Sequence, residues 1–489
     1  MKVRKIVIAL LAAGIGAGAP LVHAADADRI AQLEKQLKLM QAQLDEMKKN
    51  SVSASEVSEL RDQMSAQTKE NVVVGDIPNS FRVPGSDVSI RVYGVAELNM
   101  IHETKGDNSN NDYSTFMPYM PLNGSRASER KGQTYLHART SRIGIEGATP
   151  SPFGMIMAKV EGDFNNDPRT GNSAVYGSTN NIYTQQATNS YGFRLRHAYV
   201  QTPNWLFGQT WSTFMDIDNT PETIDFNGPI GSTFIRQPQI RYTYVTPQYG
   251  NFAVALENSV SYVMDAKTST DPSLTATPAG FSKSPDIVLR WDKPFTWGSV
   301  SLRGVSHEHR VNGDLCDGTF AGGPGSSCNT TSVNTSRRGY GLAASGQIKT
   351  WGDDFISWIV TGGEGIGRYF NYVEGAGYNV ASRSIEMEKA MGVVLGYQRK
   401  FSDSFRMNFV FGHQRHFENS YTDWARANGV DSGRYGVNRN VSQFHIGGIW
   451  NPVKVMDIGL EYIYGRRETL AGEHGNMSRI NFLTRYNFN

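Results

Sequence analysis

Arginine recurs in short stretches whose apolar residues alternate with polar ones. Arg139 and Arg142 stand in HARTSRIGIEG, Arg194 and Arg196 in FRLRHAYV, Arg241 in QIRYTY, Arg290 in VLRW and Arg303 in SLRGV, with Arg406, Arg479 and Arg485 further on. A guanidinium keeps its charge in any surroundings and grips a carboxylate through a two-point fork. The segment DIDNTPETIDFNGPIGSTF carries the opposite sign, with Asp216, Asp218, Glu222 and Asp225. Glu161, Asp163, Glu257 and Glu461 fall on the polar side of their own stretches. Residues of this kind attract, orient and filter charged solutes, and a wall of them needs a frame that aims the polar side at water.

Motifs for bond-making chemistry are missing. The sequence has no G-x-S-x-G elbow, no H-E-x-x-H pair and no phosphate-binding Walker loop. GGEGIGRYF (Gly362 to Phe370) lacks dinucleotide spacing and reads as a loop with unusual backbone angles. His307 and His309 in HEH read as a strand-to-loop junction rather than a metal site, so neither a metal nor a cofactor is expected. Cys316 and Cys328, the only two cysteines, most simply close a Gly-rich loop as a disulfide in an oxidising compartment. A formal net charge of +2 with no basic block gives no sign of a nucleic-acid partner.

The frame is legible in the alternation. In VSIRVYGVAELNM, Val88, Ile90, Val92, Ala96, Leu98 and Met100 share one face, while Ser89, Arg91, Tyr93, Glu97 and Asn99 share the other. The last stretch sets Ile480, Phe482, Thr484, Tyr486 and Phe488 against Arg479, Asn481, Leu483, Arg485 and Asn487. About sixteen such stretches, each of roughly ten residues, begin near residue 88 and run to the end, the length a tilted strand needs to cross a bilayer. Short connections such as TPSPFG, TPNW, TPQYG, SDS and NPVKV alternate with long polar ones: 165–190, 259–284 and 310–337. Trp205, Trp297, Trp351 and Trp450 fall in or beside the short ones, where one interfacial girdle places them. With a mean hydropathy of −0.42, the chain is a poor candidate for a helical membrane protein.

The sequence therefore implies an all-β fold: an antiparallel transmembrane β-barrel of about 16 strands over 88–489. Before it come a signal peptide at 1–24, with Lys2, Arg4, Lys5 and a cut after Ala24, a short α-helical coiled coil at 25–67 and a linker at 68–87. Ile30, Leu33, Leu37, Met40, Leu44 and Met47 form the heptad seam of that coil. The expected setting is the outer membrane of a Gram-negative cell, among its lipid and lipopolysaccharide, with the coil and both termini in the periplasm. A barrel of this size encloses an aqueous channel, so inward arginines would form a basic wall. Asp216 to Phe234 is the third long connection. Its acids either fold into the lumen opposite that wall or stay solvated outside.

GQTWSTFMDIDNTPETIDFNGP (Gly208 to Pro229) with RQPQIRYTY (Arg236 to Tyr244), and HARTSRIGIEGATP (His137 to Pro150), resemble the DcaP-like outer-membrane porins over essentially the whole mature chain. The resemblance implies a trimeric barrel behind a periplasmic coiled coil and passage of small anionic solutes, dicarboxylates and aromatic dicarboxylates among them. It also implies that Arg139, Arg142, Arg194, Arg196 and Arg241 meet the carboxylates. Two other functions fit the sequence: a general sieve without a binding site, and a structural tether whose coil touches the cell wall. An outer-membrane enzyme ranks last.

Overall fold

A strand that is apolar on one side and ionic on the other is stable only where its two faces meet different media, and the structure supplies both. The computed structural model describes residues 34–42, 74–106, 115, 117–165, 191–264, 279–320, 328–371, 373, 375–427 and 437–488. Residues 34–42 are helical, with Leu37 and Met40 exposed; the signal peptide and the rest of the coil lie outside the described residues. The body of the chain runs from Val74 to Asn489.

Its strands are β1 (Phe81–Arg82), β2 (Ser89–Lys105), β3 (Gln133–His137), β4 (Arg142–Ser151), β5 (Gly154–Asp163), β6 (Arg194–Gln201) and β7 (Trp205–Trp211). There follow β8 (Arg236–Thr246), β9 (Gly250–Glu257), β10 (Asp286–Phe295), β11 (Gly298–Phe320), β12 (Cys328–Lys349) and β13 (Phe355–Glu364). The last are β14 (Ala376–Asn379), β15 (Ser384–Met387), β16 (Lys389–Ser402), β17 (Phe405–Phe417), β18 (Asn438–Val453), β19 (Met456–Thr469) and β20 (His474–Phe488). Neighbours pair antiparallel, and β20 returns to β2, with Phe488 opposite Gly94 and Phe482 opposite Met100. β3 and β4 are two halves of one stave, because both pair with β2. The result is a closed barrel of 16 staves, which leaves no open edge for hydrocarbon to meet.

Burial is inverted relative to a water-soluble protein. Leu98, Ile145, Leu289, Leu302, Leu460 and Ile480 are exposed, and Leu342 is 74% exposed, while the intervening Glu97, Glu161, Arg303, Glu461 and Arg479 are buried. An exposed apolar surface that girdles a closed barrel is a bilayer-facing surface. Trp205, Trp297, Trp351 and Trp450 are all exposed at the short-turn end.

Three features depart from the sequence reading. The connection read as a polar loop over 310–337 is mostly strand: β11 and β12 continue in register to Cys316 opposite Thr330. Buried Val311, Leu315 and Val333 alternate there with exposed Asn312, Asp314, Ser332 and Asn334, the two-residue period of a strand. The side chains of Cys316 and Cys328, and with them the expected disulfide, lie outside the described residues. Part of the expected linker is docked rather than free. Phe81 and Arg82 pair with Ile90 and Ser89, and the Ser89 hydroxyl donates to Asp76 and accepts from its amide. Finally, two long connections carry small elements of their own: a β14–β15 hairpin, and a helix α1 (Ser420–Ala427) that buries Tyr421 and Trp424.

Candidate functional site

The segment between β7 and β8, residues 212–235, runs as a strap along the inner wall. It starts where Glu257 of β9 accepts hydrogen bonds from the Ser212 hydroxyl (2.7 Å) and the Thr213 amide (2.7 Å). Asp216 then sits against β10 to β12. Arg290 approaches it at 3.4 Å and donates to the Met215 carbonyl, Ser345 donates to the carboxylate at 2.5 Å, and Arg303 holds the Phe214 carbonyl at 3.0 Å. Burial alone would raise the Asp216 carboxyl, but Arg290 and Arg303 outweigh it and hold it below its usual range.

Further along, Glu222 receives two parallel hydrogen bonds from Arg406 of β17, both 2.7 Å, and one from Asn408. Glu461 of β19 accepts from the Ile224 (3.0 Å) and Asp225 (2.9 Å) amides. Asp225 in turn accepts from the Thr115 amide and hydroxyl, which fixes part of the β2–β3 connection to the strap. Gln443 of β18 accepts from the Ile230 amide at 2.9 Å. Asp218 is the exception among the four acids: its carbonyl takes a hydrogen bond from Gln347, while its side chain stays exposed.

Backbone fit supplements these ties. Gly392 of β16 faces the strap, and a Cβ there would lie 2.5 Å from the Gly231 carbonyl oxygen and 2.7 Å from its Cα. Gly412 of β17 leaves room for the Ile230 backbone in the same way, and Gly459 of β19 for the Ile224 side chain. Small or branched apolar residues break the ionic inner face beside them. Ala255, Val288, Val305, Ala343 and Ala390 are buried under Phe214 of the strap and Ile366, Tyr369 and Phe370 of the β13–β14 connection. Sequence reasoning missed these seats, whose signal is an apolar or glycine residue at an inward position.

The arginines divide into three groups. Arg290 and Arg303 anchor the strap. Arg194 and Arg196 pair with Asp163 (2.8 and 2.9 Å), and Arg196 also pairs with Glu161 (2.7 Å). Arg142 and Arg241 make no hydrogen bond or ion pair with the described residues, although both face inward. Arg139 departs from the expected wall. It lies in the break between β3 and β4, 4.8 Å from the Tyr191 ring, and lines a recess with Leu98, Leu136 and Phe164 of the outward row. The break interrupts the alternation that would have turned it inward.

One cation was not singled out in the sequence. Arg236, at the start of β8, stacks on Trp211 at 3.6 Å and lies near Phe234, within electrostatic reach of Arg142, Arg194 and Arg196. Trp211 and Phe234 pack edge to face at 5.1 Å, and Arg194 lies over Phe226 of the strap at 5.8 Å. Four guanidinium groups and three rings thus meet on one side of the strap, with Glu161 and Asp163 as the carboxylates among them.

A closed 16-stave barrel, apolar outside and ionic inside, with a connection folded against its inner wall, has the architecture of a porin-type channel of the outer membrane. The chain belongs to the DcaP outer membrane protein family, which it matches over residues 22–488. The outer membrane channel DcaP of Acinetobacter baumannii is similar in fold, with 22% identity over 85% of this chain and 100% of that one and a TM-score of 0.64. More distant are Salmonella typhi OmpF in complex with daunomycin (14%, 82% and 98%, TM-score 0.48) and an anion-selective porin from Comamonas acidovorans (13%, 82% and 100%, TM-score 0.44). No curated protein matches the chain.

Proposed function

We propose that this protein is a porin through which small hydrophilic solutes diffuse passively, with preference for anions such as dicarboxylates, aromatic ones included. The observation that carries the proposal is the charge imbalance beside the strap. Arg142, Arg194, Arg196 and Arg236 converge where Glu161 and Asp163 supply the negative charge. Most other inward acids are engaged elsewhere: Glu97 with Arg485, Glu103 with Arg479, Glu222 with Arg406, and Glu257 and Glu461 with strap amides. A dianion entering this region meets forked donors, and Trp211, Phe226 and Phe234 offer ring faces for an aromatic core.

In this reading Arg142, Arg194, Arg196 and Arg241 contact the solute, Arg290 and Arg303 hold the strap, and Asp216, Asp218, Glu222 and Asp225 belong to a constriction. The assembly is a homotrimer, with the short turns, both barrel ends and the coil in the periplasm, where the coil reaches toward the cell wall. The alternative of a sieve without a binding site is favoured by the pairing of Arg194 and Arg196 with carboxylates.

Reversal potentials in a salt gradient across a planar bilayer test the proposal. Anion selectivity is expected, and it should fall toward zero in Arg142→Gln combined with Arg236→Gln. Cation selectivity of the parent protein ends the anion reading. The absence of concentration-dependent current block by a dicarboxylate leaves only the sieve.

A further inference from the structure

A second cavity, of about 330 Å³, opens between the strap and the inner faces of β6 to β10. That volume suits a small organic solute. Its charged groups are Arg241 and Arg290 on the wall, Asp292 beside them, and Asp218 on the strap. Arg290 is already committed to Asp292 at 2.6 Å and Asp216 at 3.4 Å. Arg241 and the Asp218 carboxylate lie within electrostatic reach of Arg290 but make no hydrogen bond or ion pair with the described residues, so each keeps hydrogen-bonding capacity for whatever enters. Ile217, a strap side chain 47% exposed, and the Trp211 ring give the same cavity an apolar margin.

Two cations and two carboxylates make this cavity close to neutral, unlike the cation-rich region around Arg236. A dianion placed here would satisfy Arg241 with one carboxylate, and Asp218 and Asp292 would repel the other. A monoanion leaves Asp218 unmatched, and an amine leaves Arg241 unmatched. The solute that answers both groups at once carries a carboxylate and an ammonium, with an apolar substituent for Ile217 and Trp211. We infer that the cavity lined by Arg241, Asp218, Ile217 and Trp211 is a binding site for zwitterionic α-amino acids with apolar side chains. The carboxylate takes the Arg241 fork and the ammonium donates to Asp218. The inference rests on the proposed reading only in needing the lumen to conduct, and not on its anion preference.

The test is block of single-channel current by L-phenylalanine, compared with 3-phenylpropanoate, which lacks the ammonium, and 2-phenylethylamine, which lacks the carboxylate. L-Phenylalanine should block at lower concentration than either. Asp218→Asn should raise its half-blocking concentration by on the order of tenfold, the loss of one charge-assisted hydrogen bond, and lower that of 3-phenylpropanoate. Arg241→Gln should weaken both carboxylate-bearing blockers and spare the amine. Heat-resistant electrophoretic migration establishes that each variant has folded. Should Asp218→Asn not fold, Ile217→Ser serves in its place, weakening block by L-phenylalanine but not by glycine. An unchanged ratio of L-phenylalanine to 3-phenylpropanoate block in Asp218→Asn, or no block in a conducting parent channel, overturns the inference. Reversal potentials on the same membranes judge anion preference separately, so either result can fail without the other.

Discussion

The strap lies so close to the wall at Gly392 that adding one methyl group there should move it. In Gly392→Ala the new Cβ would sit 2.5 Å from the Gly231 carbonyl oxygen. Carbon and oxygen rest at about 3.3–3.6 Å even in favourable C–H···O contacts, so the strap must retreat by roughly 1 Å. Barrel strands hydrogen-bonded on both sides do not yield as a loop does, and the strap therefore moves toward the barrel axis. Such overpacking costs about 1–3 kcal/mol. A 1 Å shift also stretches the 2.9 Å bond from the Ile230 amide to Gln443 beyond hydrogen-bond range, a further loss of about 1 kcal/mol. The remaining ties are stronger: two charge-assisted bonds to Glu222 and two backbone amides on Glu461, each worth about 1.5–3 kcal/mol. The strap should consequently bulge near Gly231 without lifting off, narrowing the lumen and lowering single-channel conductance. Gln443→Ala removes the same tie without the push and should not lower it. If both variants conduct like the parent, the strap does not border the conducting path at Gly231.

Three further outcomes follow from individual contacts. Glu461→Gln presents an amide group to one of the two strap amides it now accepts, so current noise and brief substates should increase while the barrel still folds; an unchanged noise spectrum refutes this role. In the short turn before β13, Asp354 accepts from the Lys400 amide, Arg399 and Tyr397. The Lys400 amide above all, with help from the other two, outweighs burial and holds its carboxyl below the usual range. The stabilisation from a lowered carboxyl is complete above its unfolded value of about 3.9 and disappears as pH falls through the folded value. Asp354→Asn should therefore lower the thermal unfolding midpoint in detergent at pH 7, and the two proteins should converge in strong acid; a constant gap at all pH values counts against the linkage. If the proposed homotrimer forms, deleting residues 25–67 should lower the temperature at which it gives way to monomers on electrophoresis and leave single-channel conductance as it was. An unchanged dissociation temperature removes the coil from assembly.

The barrel was legible because its determinant is local and repeated. A period of two with charge confined to one face needs no knowledge of partners, and the expected start near 88 lies within one residue of β2. The closing stretch from Ile480 to Phe488 likewise pairs with β2 and keeps Ile480 and Tyr486 exposed. The turn-side tryptophans were legible for the same reason, since an interfacial girdle is set by position along a strand. What alternation cannot report is which medium an inward residue meets.

Val288 and Arg290 stand on the same face of β10, two residues apart, yet one lies under the Tyr369–Phe370 connection and the other borders an open cavity. The difference comes from segments far away in sequence, whose folding into the lumen is a tertiary choice. The same limit explains the strap acids. Their charge was visible, and the two placements weighed for them were inside facing arginines across the lumen, or outside in water. The structure seats Asp216 and Glu222 directly on arginines of the wall and leaves the Asp218 carboxylate at the cavity, within reach of Arg290 but with no hydrogen bond to the described residues. Each carboxylate that fastens the strap neutralises an arginine of the wall as it does so. Pairing therefore leaves the net inward charge unchanged and decides only which cations keep hydrogen-bonding capacity, Arg142 and Arg241 among them. The inward glycines carry the matching signal. In an ordinary strand they would only weaken packing, but Gly392, Gly412 and Gly459 each lie beneath a strap residue. At Gly392 and Gly412 the missing Cβ makes room for strap backbone, and at Gly459 for the Ile224 side chain.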